Sequence, residues 1–371
     1  MKKRAYVQLA LLPLAFLAAM GIAYWVRYWT GPVSRPEVLL LIAFAYLLYP
    51  RTLRITHELG HLAFGKLSGY QFVLFRVFGR VFLRENGKLV CRRDNIKKSC
   101  SCWMEAPVPM DGRYPFVLYT LGGALMNLIL SIVFFAVIPL VAALPLLAVF
   151  LAFFSALCLL SGLSSMAPQL TYKRMSDGAT LRTLRKNEQA RQANWLQMHI
   201  NALLVRGTRY RDMPAQWFDL PKAGLFDSPI IYINAFDCLN YLLDTHDLAA
   251  AKDLAEFMQG NAEHMMHYHR NLLLCKALFL ALVCEGHKEA IEPLYTPQLE
   301  KHIRATAQFP SHLRLRYALA KLHHHDPQAA EQAREAFEKV CASYPFLGDI
   351  PAEHELMQLV DDIAEKRGHT S

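Results

Sequence analysis

A long central stretch of this 371-residue chain lacks charged side chains. Between Arg113 and Lys173 the sequence contains no lysine, arginine, aspartate or glutamate. An apolar run of this length is sufficient for two membrane-spanning helices of about 20 residues each. Because 54% of all residues are hydrophobic, the composition also argues against an ordinary soluble protein and predicts an integral membrane protein.

Closely spaced cysteines are also scarce. The eight cysteines are scattered, and only Cys100 and Cys102 lie near each other. This spacing does not form a disulfide framework and is typical of thiols that stay reduced in the cytosol. The net charge of +9 is not accompanied by an RNA- or DNA-binding motif. We therefore expect no nucleic-acid partner and interpret the basic residues as cytoplasmic segments of a membrane protein.

The first apolar segment runs from Tyr6 to Val26 and follows a basic start. A cleaved signal peptide has the same two features, so that interpretation stays open. The run is long for a signal peptide, however, and aromatic residues typical of a membrane interface follow it. They are Tyr24, Trp25, Tyr28 and Trp29. We predict a first transmembrane helix and link in residues 1–36, with the N-terminus in the cytoplasm.

A second helix is predicted from Glu37 to Leu67, and it contains His57-Glu58-Leu59-Gly60-His61. Histidines four residues apart on a helix share one face and can bind one metal ion. The glutamate beside the first histidine can accept a proton from a metal-bound water. Three ionisable side chains are costly in a membrane helix without a function. Imidazole and carboxylate ligands favour Zn²⁺ as the metal.

The segment after this helix alternates apolar and polar residues from Phe72 to Leu83, which predicts a strand. Asn86-Gly87 is a strong turn signal, and Lys88 to Arg92 is the predicted second strand. We therefore predict a β-hairpin in residues 70–93. Its face of arginine and phenylalanine residues suggests contact with lipid headgroups. Packing on the rest of the protein explains the same pattern equally well.

Two further transmembrane helices are predicted, from Phe116 to Pro139 and from Leu144 to Met166. Gly122 and Gly123 in the third helix allow another backbone to approach closely. Asn127 is a polar residue deep in the same apolar helix. Such a residue bonds a neighbouring helix or lines a site.

The topology suggests a third metal ligand. If the N-terminus is cytoplasmic, the His-Glu box lies near the cytoplasmic end of its helix, and the fourth helix returns the chain to that side at Pro168. Asp177 follows at the same depth, so we predict it as the third ligand. Asp177-Gly178 is also a common turn pair, so the alternative is a simple turn. A glutamate ligand is missing, because the third and fourth helices contain none.

Residues 181–371 are predicted to form a cytoplasmic helical domain. Its amphipathic helices are Leu239–Met258, Asn271–Tyr295, Leu313–His325 and Pro327–Tyr344. The last pair resembles a tetratricopeptide repeat in the spacing of Ala333, Phe337, Val340 and Pro345. This pattern suggests a short α-solenoid whose concave face binds a partner protein or peptide. An unrelated helical bundle is the alternative.

The motifs together resemble those of the site-2 protease family of intramembrane zinc metalloproteases. The segment that begins with His57 to His61 is similar to the family's zinc helix. Gly123 to Asn127 resembles its Gly-x-x-x-Asn helix, and Ser165 to Pro168 with Asp177-Gly178 resembles its Asn-x-x-Pro…Asp-Gly element. The resemblance covers residues 37–180. Two departures are Ser165 in place of asparagine and a longer spacer before Asp177.

The resemblance implies a membrane metalloprotease core in residues 37–180 that hydrolyses membrane-anchored proteins or peptides near the cytoplasmic face. Zn²⁺ would be held by His57, His61 and Asp177, with Glu58 as the general base. The remaining predicted site residues would bind substrate or support the site, and they are Asn127, Gly123 and Pro168. The hairpin would bind the unwound substrate as an extra strand.

We therefore expect an α-helical polytopic membrane protein with four transmembrane helices, a small β-hairpin insertion and a cytoplasmic α-solenoid-like domain. Its predicted location is a bacterial cell membrane, with both termini in the cytoplasm and the lipid bilayer as its surroundings. The predicted activity is that of a zinc metalloendopeptidase. The alternative is a catalytically silent membrane adaptor that binds partner proteins through its C-terminal helices.

Overall fold

The computed structural model describes residues 21, 24–25, 28–29, 35–85, 87–96, 99–110, 112–170, 175–219 and 223–368. In these residues the chain is mostly helical with one small antiparallel sheet, which confirms the coarse fold prediction. Two of the described helices, Phe116–Val141 and Pro145–Met166, are long and apolar enough to cross a membrane. Four transmembrane helices are not shown. The span Tyr6–Val26 lies mostly outside the described residues, and Glu37–Leu67 stays a prediction as a membrane span.

Three long helices pack together, and the first of them carries the His-Glu box. They are α1 (Arg35–Leu67), α2 (Phe116–Val137) and α3 (Pro145–Met166). A short 3-10 segment, Ile138–Val141, joins α2 to α3. Pro145 begins α3. An N–H at the first position of a helix has no partner within the helix, so the missing N–H of proline costs no hydrogen bond there. At the closest crossing of α1 and α2, a Cβ added to Gly60 would lie 2.3 Å from the carbonyl oxygen of Gly122.

Polar side chains fix the register of these apolar helices. Asn127 is fully buried and joins all three, since it accepts from Thr56 Oγ1 and donates to Ser161 Oγ, both at 3.0 Å. Ser131 and Ser155 each donate to the other's carbonyl oxygen at 2.8 Å. Apolar contacts alone distinguish poorly between helix registers, so such hydrogen bonds select one arrangement of the helices.

The predicted interfacial aromatic residues lie at the end of α2 that is farther from the His-Glu box. Tyr24, Tyr28 and Trp29 are exposed. Trp25 stacks on Phe135, with ring centroids 5.1 Å apart. Contact of the exposed rings with a membrane interface stays a prediction.

The sheet has four antiparallel strands in the order β3-β2-β1-β4. They are β1 (Gln71–Val77), β2 (Arg80–Glu85), β3 (Lys88–Arg93) and β4 (Cys100–Glu105). The prediction of one strand from Phe72 to Leu83 is wrong, because a two-residue turn at Phe78 and Gly79 divides it. Both turn residues have positive φ, 39° and 89°, as hairpin turns that match strand twist require. The predicted hairpin of residues 70–93 is thus part of a larger sheet.

Both faces of the sheet are covered by protein. Leu74 and Val81 pack in a cluster with residues of the C-terminal helices. Phe75 and Met104 belong to another cluster, which packs against side chains of α1. Arg76, predicted on the face toward lipid headgroups, is buried and forms an ion pair with Asp94. The sheet therefore connects the helices of the apolar core to the C-terminal region.

The regular secondary structure of the C-terminal region is helical throughout its described residues. Its helices are α4 (Asp177–Lys186), α5 (Glu188–Arg206), α6 (Pro229–Asp244), α7 (Leu248–Gly260), α8 (His267–Leu280), α9 (Lys288–Ile291), α10 (Pro297–Ala305), α11 (Pro310–Leu319), α12 (Pro327–Cys341) and α13 (Asp349–Gly368). Short 3-10 segments lie at Tyr210–Asp212, Ala215–Phe218 and Ala262–His264, and π-helical turns at Ala281–Glu285 and Ala320–His324. These helices share one large apolar core.

Two of the predicted C-terminal helices are interrupted. The helix predicted from Leu239 to Met258 is wrong, since His246 has a φ of +59° and Asp247 caps the start of α7. The helix predicted from Asn271 to Tyr295 is interrupted at Gly286, which has a φ of +76°. Both breaks lie in short polar stretches, Asp244 to Asp247 and Glu285 to Glu289, which the predicted helices included. The solenoid arrangement stays a prediction.

The buried ion pair in the sheet gives a stability prediction. Asp94→Asn should lower the free energy of unfolding by about 3 kcal/mol, because it leaves the buried Arg76 guanidinium without a counter-charge. Glu85→Gln is the matched control, since its partner Arg92 is 41% exposed and that pair contributes at most about 1 kcal/mol. Denaturant unfolding in detergent, monitored by circular dichroism, measures the free energy of unfolding of both variants. Equal losses in the two variants would contradict the prediction.

Candidate metal centre

Four elements meet at one end of the three-helix core. The C-terminal half of α1 carries His57, Glu58 and His61, and α2 contributes its first turns. The strand β4 lies against α1, and Asp177 is the first residue of α4. The fold thus brings together residues that are more than 110 positions apart in the chain.

The three predicted ligands converge. His57 Nε2 lies 3.2 Å from His61 Nε2 and 3.4 Å from Asp177 Oδ2. His61 Nε2 lies 3.8 Å from Asp177 Oδ1. The three side chains are only 14–18% exposed. Two imidazoles and a carboxylate at these distances form a group that could hold a metal ion.

The hydrogen bond on the far side of His61 assigns its tautomer. His61 Nδ1 lies 2.8 Å from the carbonyl oxygen of Tyr119. A carbonyl oxygen only accepts, so Nδ1 must carry the proton and donate it. The lone pair is then on Nε2, which is the nitrogen that faces His57 and Asp177. Metal-ligating histidines are commonly oriented in this way by a backbone carbonyl.

A closed loop places Asp177. Ser176 N–H donates to Gln169 O, and Gln169 N–H donates to Ser176 Oγ, both at 2.9 Å. These bonds close the longer spacer and return the chain to the end of α3. Ser176 also caps α4 by accepting from Ala179 N–H. At Gly178 a Cβ would lie 1.8 Å from the carbonyl oxygen of Met166, so this contact requires glycine.

Glu58 lies beside the three candidate ligands and next to a cavity. Its Oε2 accepts a hydrogen bond from the backbone N–H of Cys102 in β4 at 2.8 Å. Glu58, His61 and Asp177 line one cavity of about 170 Å³, together with Cys102. The carboxylate is therefore held by the strand at a position from which a group in the cavity can be reached.

The other predicted site residues have different positions. Gly123 faces the ring of His57 directly, since an added Cβ would lie 2.5 Å from Nε2. Asn127 is bonded to Thr56 and Ser161 within the helix interface and does not line the cavity. Pro168 is exposed in the loop after α3, where a proline cannot continue the helix.

Sequence reasoning did not predict β4 or its anchor on α5. Glu105 at the end of β4 bonds His199 Nδ1 at 2.7 Å and also bonds Arg206. Burial opposes ionisation of Glu105, but the hydrogen bonds from His199 and Arg206 outweigh it and lower the pKa of this carboxyl. The alternation of Cys100, Cys102 and Met104 was the available signal for the strand.

Comparisons of the chain with protein-family models, curated proteins and solved structures found no match. The resemblance to site-2 proteases therefore depends on the motifs alone, and any function has to be argued from the geometry of the site.

The contact between Gly123 and His57 gives a prediction about metal binding. Gly123→Ala should displace the His57 ring and weaken metal binding by about 10–100-fold, the usual effect of losing a ligand's support. Metal content after dialysis against a competing chelator measures this change. Gly260→Ala is the control, because an added Cβ there meets nothing within 4 Å. Unchanged metal affinity in Gly123→Ala, with native helical content, would contradict the prediction.

Proposed function

We propose that this protein is an intramembrane zinc metalloprotease that hydrolyses peptide bonds of membrane-anchored proteins or peptides near the cytoplasmic face. The observation that carries the proposal is the convergence of His57, His61 and Asp177 with Glu58 beside them. This constellation lies at one end of two helices that are apolar enough to cross a membrane.

The donor distances support zinc as the metal. Tetrahedral Zn²⁺ with nitrogen and oxygen ligands at 2.0–2.2 Å keeps its donors about 3.3 Å apart. The separations here are 3.2, 3.4 and 3.8 Å, so a small contraction closes the set. Three protein ligands leave one tetrahedral position for water, the arrangement of catalytic rather than structural zinc sites.

In the proposed reaction the metal and the side chains have different roles. Zinc in this site would act as a Lewis acid on the attacking water and on the peptide carbonyl. Glu58 would accept the proton of the attacking water and deliver it to the leaving amine. The hydrogen bond from Cys102 N–H holds one Glu58 oxygen and so orients the carboxylate. Tyr119 O keeps the lone pair of His61 Nε2 directed at the ligand set.

The position of β4 supports binding of an extended substrate. A helical peptide must unwind before cleavage, because its carbonyl oxygens are occupied by helix hydrogen bonds. β4 is an edge strand of the described sheet, and its outer edge faces the site, since Cys102 N–H donates to Glu58 there. An unwound segment added along this edge would pass beside the candidate metal centre.

The decisive experiment removes the base and keeps the ligands. Glu58→Gln should retain zinc and lower the rate of peptide hydrolysis by at least about 100-fold, since general-base catalysis contributes 10²–10⁴-fold. Purified protein in liposomes is incubated with a panel of single-span membrane proteins, and zinc is measured by mass spectrometry. Glu289→Gln, a change of an exposed glutamate, is the matched control.

Two outcomes would overturn the proposal. Zinc absent from the unchanged protein would remove the metal centre, and equal cleavage by the unchanged protein and Glu58→Gln would remove the proposed base. Zinc bound without cleavage of any substrate by the unchanged protein would favour the membrane adaptor instead.

Asp177 has a test of its own. Asp177→Ala should weaken zinc binding by at least about tenfold, because the set then loses its only carboxylate ligand. The expected result is a lower zinc content at equal helical content, measured after dialysis against a chelator. Asp253→Ala, on the far α7 helix, is the control. Full zinc retention in Asp177→Ala would exclude this residue from the site.

A further inference from the structure

A second group of metal-ligating side chains lies in the C-terminal region. Cys275 on α8, His302 on α10 and His312 on α11 bring their donor atoms within 4.8 Å of one another. Cys275 and His312 are each only 4% exposed, and His302 is half-buried. None of these residues belongs to the first centre, and the sequence pattern did not single them out, since they lie on three different helices.

The hydrogen bonds around Thr306 assign the tautomer of His312. The single hydroxyl proton of Thr306 is donated to the carbonyl oxygen of His302 at 2.6 Å. His312 Nδ1 lies 2.6 Å from Thr306 Oγ1 and 3.3 Å from Thr306 O. Both oxygens can then only accept, so Nδ1 carries the proton and Nε2 carries the lone pair. Thr306 thus orients one ring and is anchored on the backbone of the other histidine.

Both buried groups are uncharged when no ion is bound. Burial lowers the pKa of His312 to about 3, so its imidazole is neutral at physiological pH. Burial raises the pKa of Cys275 to about 12, so its sulfur is a thiol. A neutral imidazole is the form that ligates metals, and the thiol releases its proton to solvent as the ion binds.

We propose that Cys275, His302 and His312 form a second metal site, which takes a thiophilic ion, Zn²⁺. One thiolate and two imidazoles select zinc over Mg²⁺ or Ca²⁺, which prefer oxygen ligands. Tetrahedral zinc needs donor separations of about 3.3–3.6 Å, so ring and thiol rotations that bring the atoms together by up to about 1.5 Å complete the set.

The surroundings leave room for a fourth ligand. Cys275 and His312 line a cavity of about 480 Å³, which is wide enough for a bound water. Two cations, Lys276 and Arg314, also line it, and Arg314 is paired with Glu353 at 2.6 Å. The acidic residues on the same walls are Asp244, Asp349 and Glu353. Burial raises the pKa of Asp349 to about 8, so this group is largely uncharged at neutral pH, and the negative charge on the walls comes from Asp244 and Glu353. The thiolate formed on binding adds a negative charge beside Lys276.

An ion bound here would connect three helices that the sequence separates by loops. The expected consequence is a more stable C-terminal region when metal is present, because an ion that binds only the folded state shifts the unfolding equilibrium. The expected effect of this site is on stability, and its test does not depend on the proposed protease reaction.

Cobalt distinguishes the two centres, because only the second contains sulfur. Metal-free full-length protein in detergent is loaded with Co²⁺, and bound cobalt and the near-ultraviolet spectrum are measured. We expect two Co²⁺ per chain and a thiolate-to-cobalt charge-transfer band. Cys275→Ser should lose this band and one equivalent of cobalt, and His312→Ala should lose the same equivalent. Cys341 is another buried cysteine outside the group, so Cys341→Ser should keep the charge-transfer band and both equivalents of cobalt.

The results that overturn the second site are distinct from those that test the first. Unchanged protein that binds one Co²⁺ without a charge-transfer band lacks the second site but keeps the first. A band that persists in Cys275→Ser also overturns the assignment. If Asp177→Ala loses one equivalent but keeps the band, the second site is supported independently of the proposed protease centre. Circular dichroism of each variant ensures that a lost band does not come from unfolding.

Discussion

The contact of two helix backbones is the constraint on which the candidate metal centre depends. α1 and α2 approach so closely at Gly60 and Gly122 that neither position has room for a Cβ. The same crossing sets the His57 ring against Gly123 and brings His61 Nδ1 to the Tyr119 carbonyl. Side chains at this crossing would push the helices apart and with them the two imidazoles. The glycines therefore position the two candidate metal ligands, although they offer no ligand atom themselves.

The strand β4 connects this centre to the C-terminal helices. Its backbone holds Glu58 through Cys102 N–H, and its last residue, Glu105, is bound to His199 and Arg206 on α5. The position of the proposed base is thus coupled to a helix that follows the apolar core by sequence. The contacts therefore run continuously from α5 through β4 to the Glu58 carboxylate.

Local sequence patterns correctly predicted features that depend only on composition or on spacing within one segment. The uncharged stretch after Arg113 contains two apolar helices, and the spacing of His57 and His61 on a helix brings both rings together. The patterns were misleading where a short break lies inside a longer alternating or amphipathic run. Phe78 and Gly79 turn the chain between β1 and β2 without a polar residue, and His246 breaks a helix within an amphipathic run. The functional roles of the site residues stay predictions.

The amino-acid order alone specifies the two apolar helices, the histidine pair and the glutamate beside it, because these features depend on spacing within one helix. Tertiary structure supplies what depends on distant segments. The loop closed by Gln169 and Ser176 brings Asp177 to the histidines, and β4 holds Glu58. The Cys275, His302 and His312 group likewise exists only once three helices pack. Local periodicity carries no information on such contacts, since helix packing and loop closure set their distances.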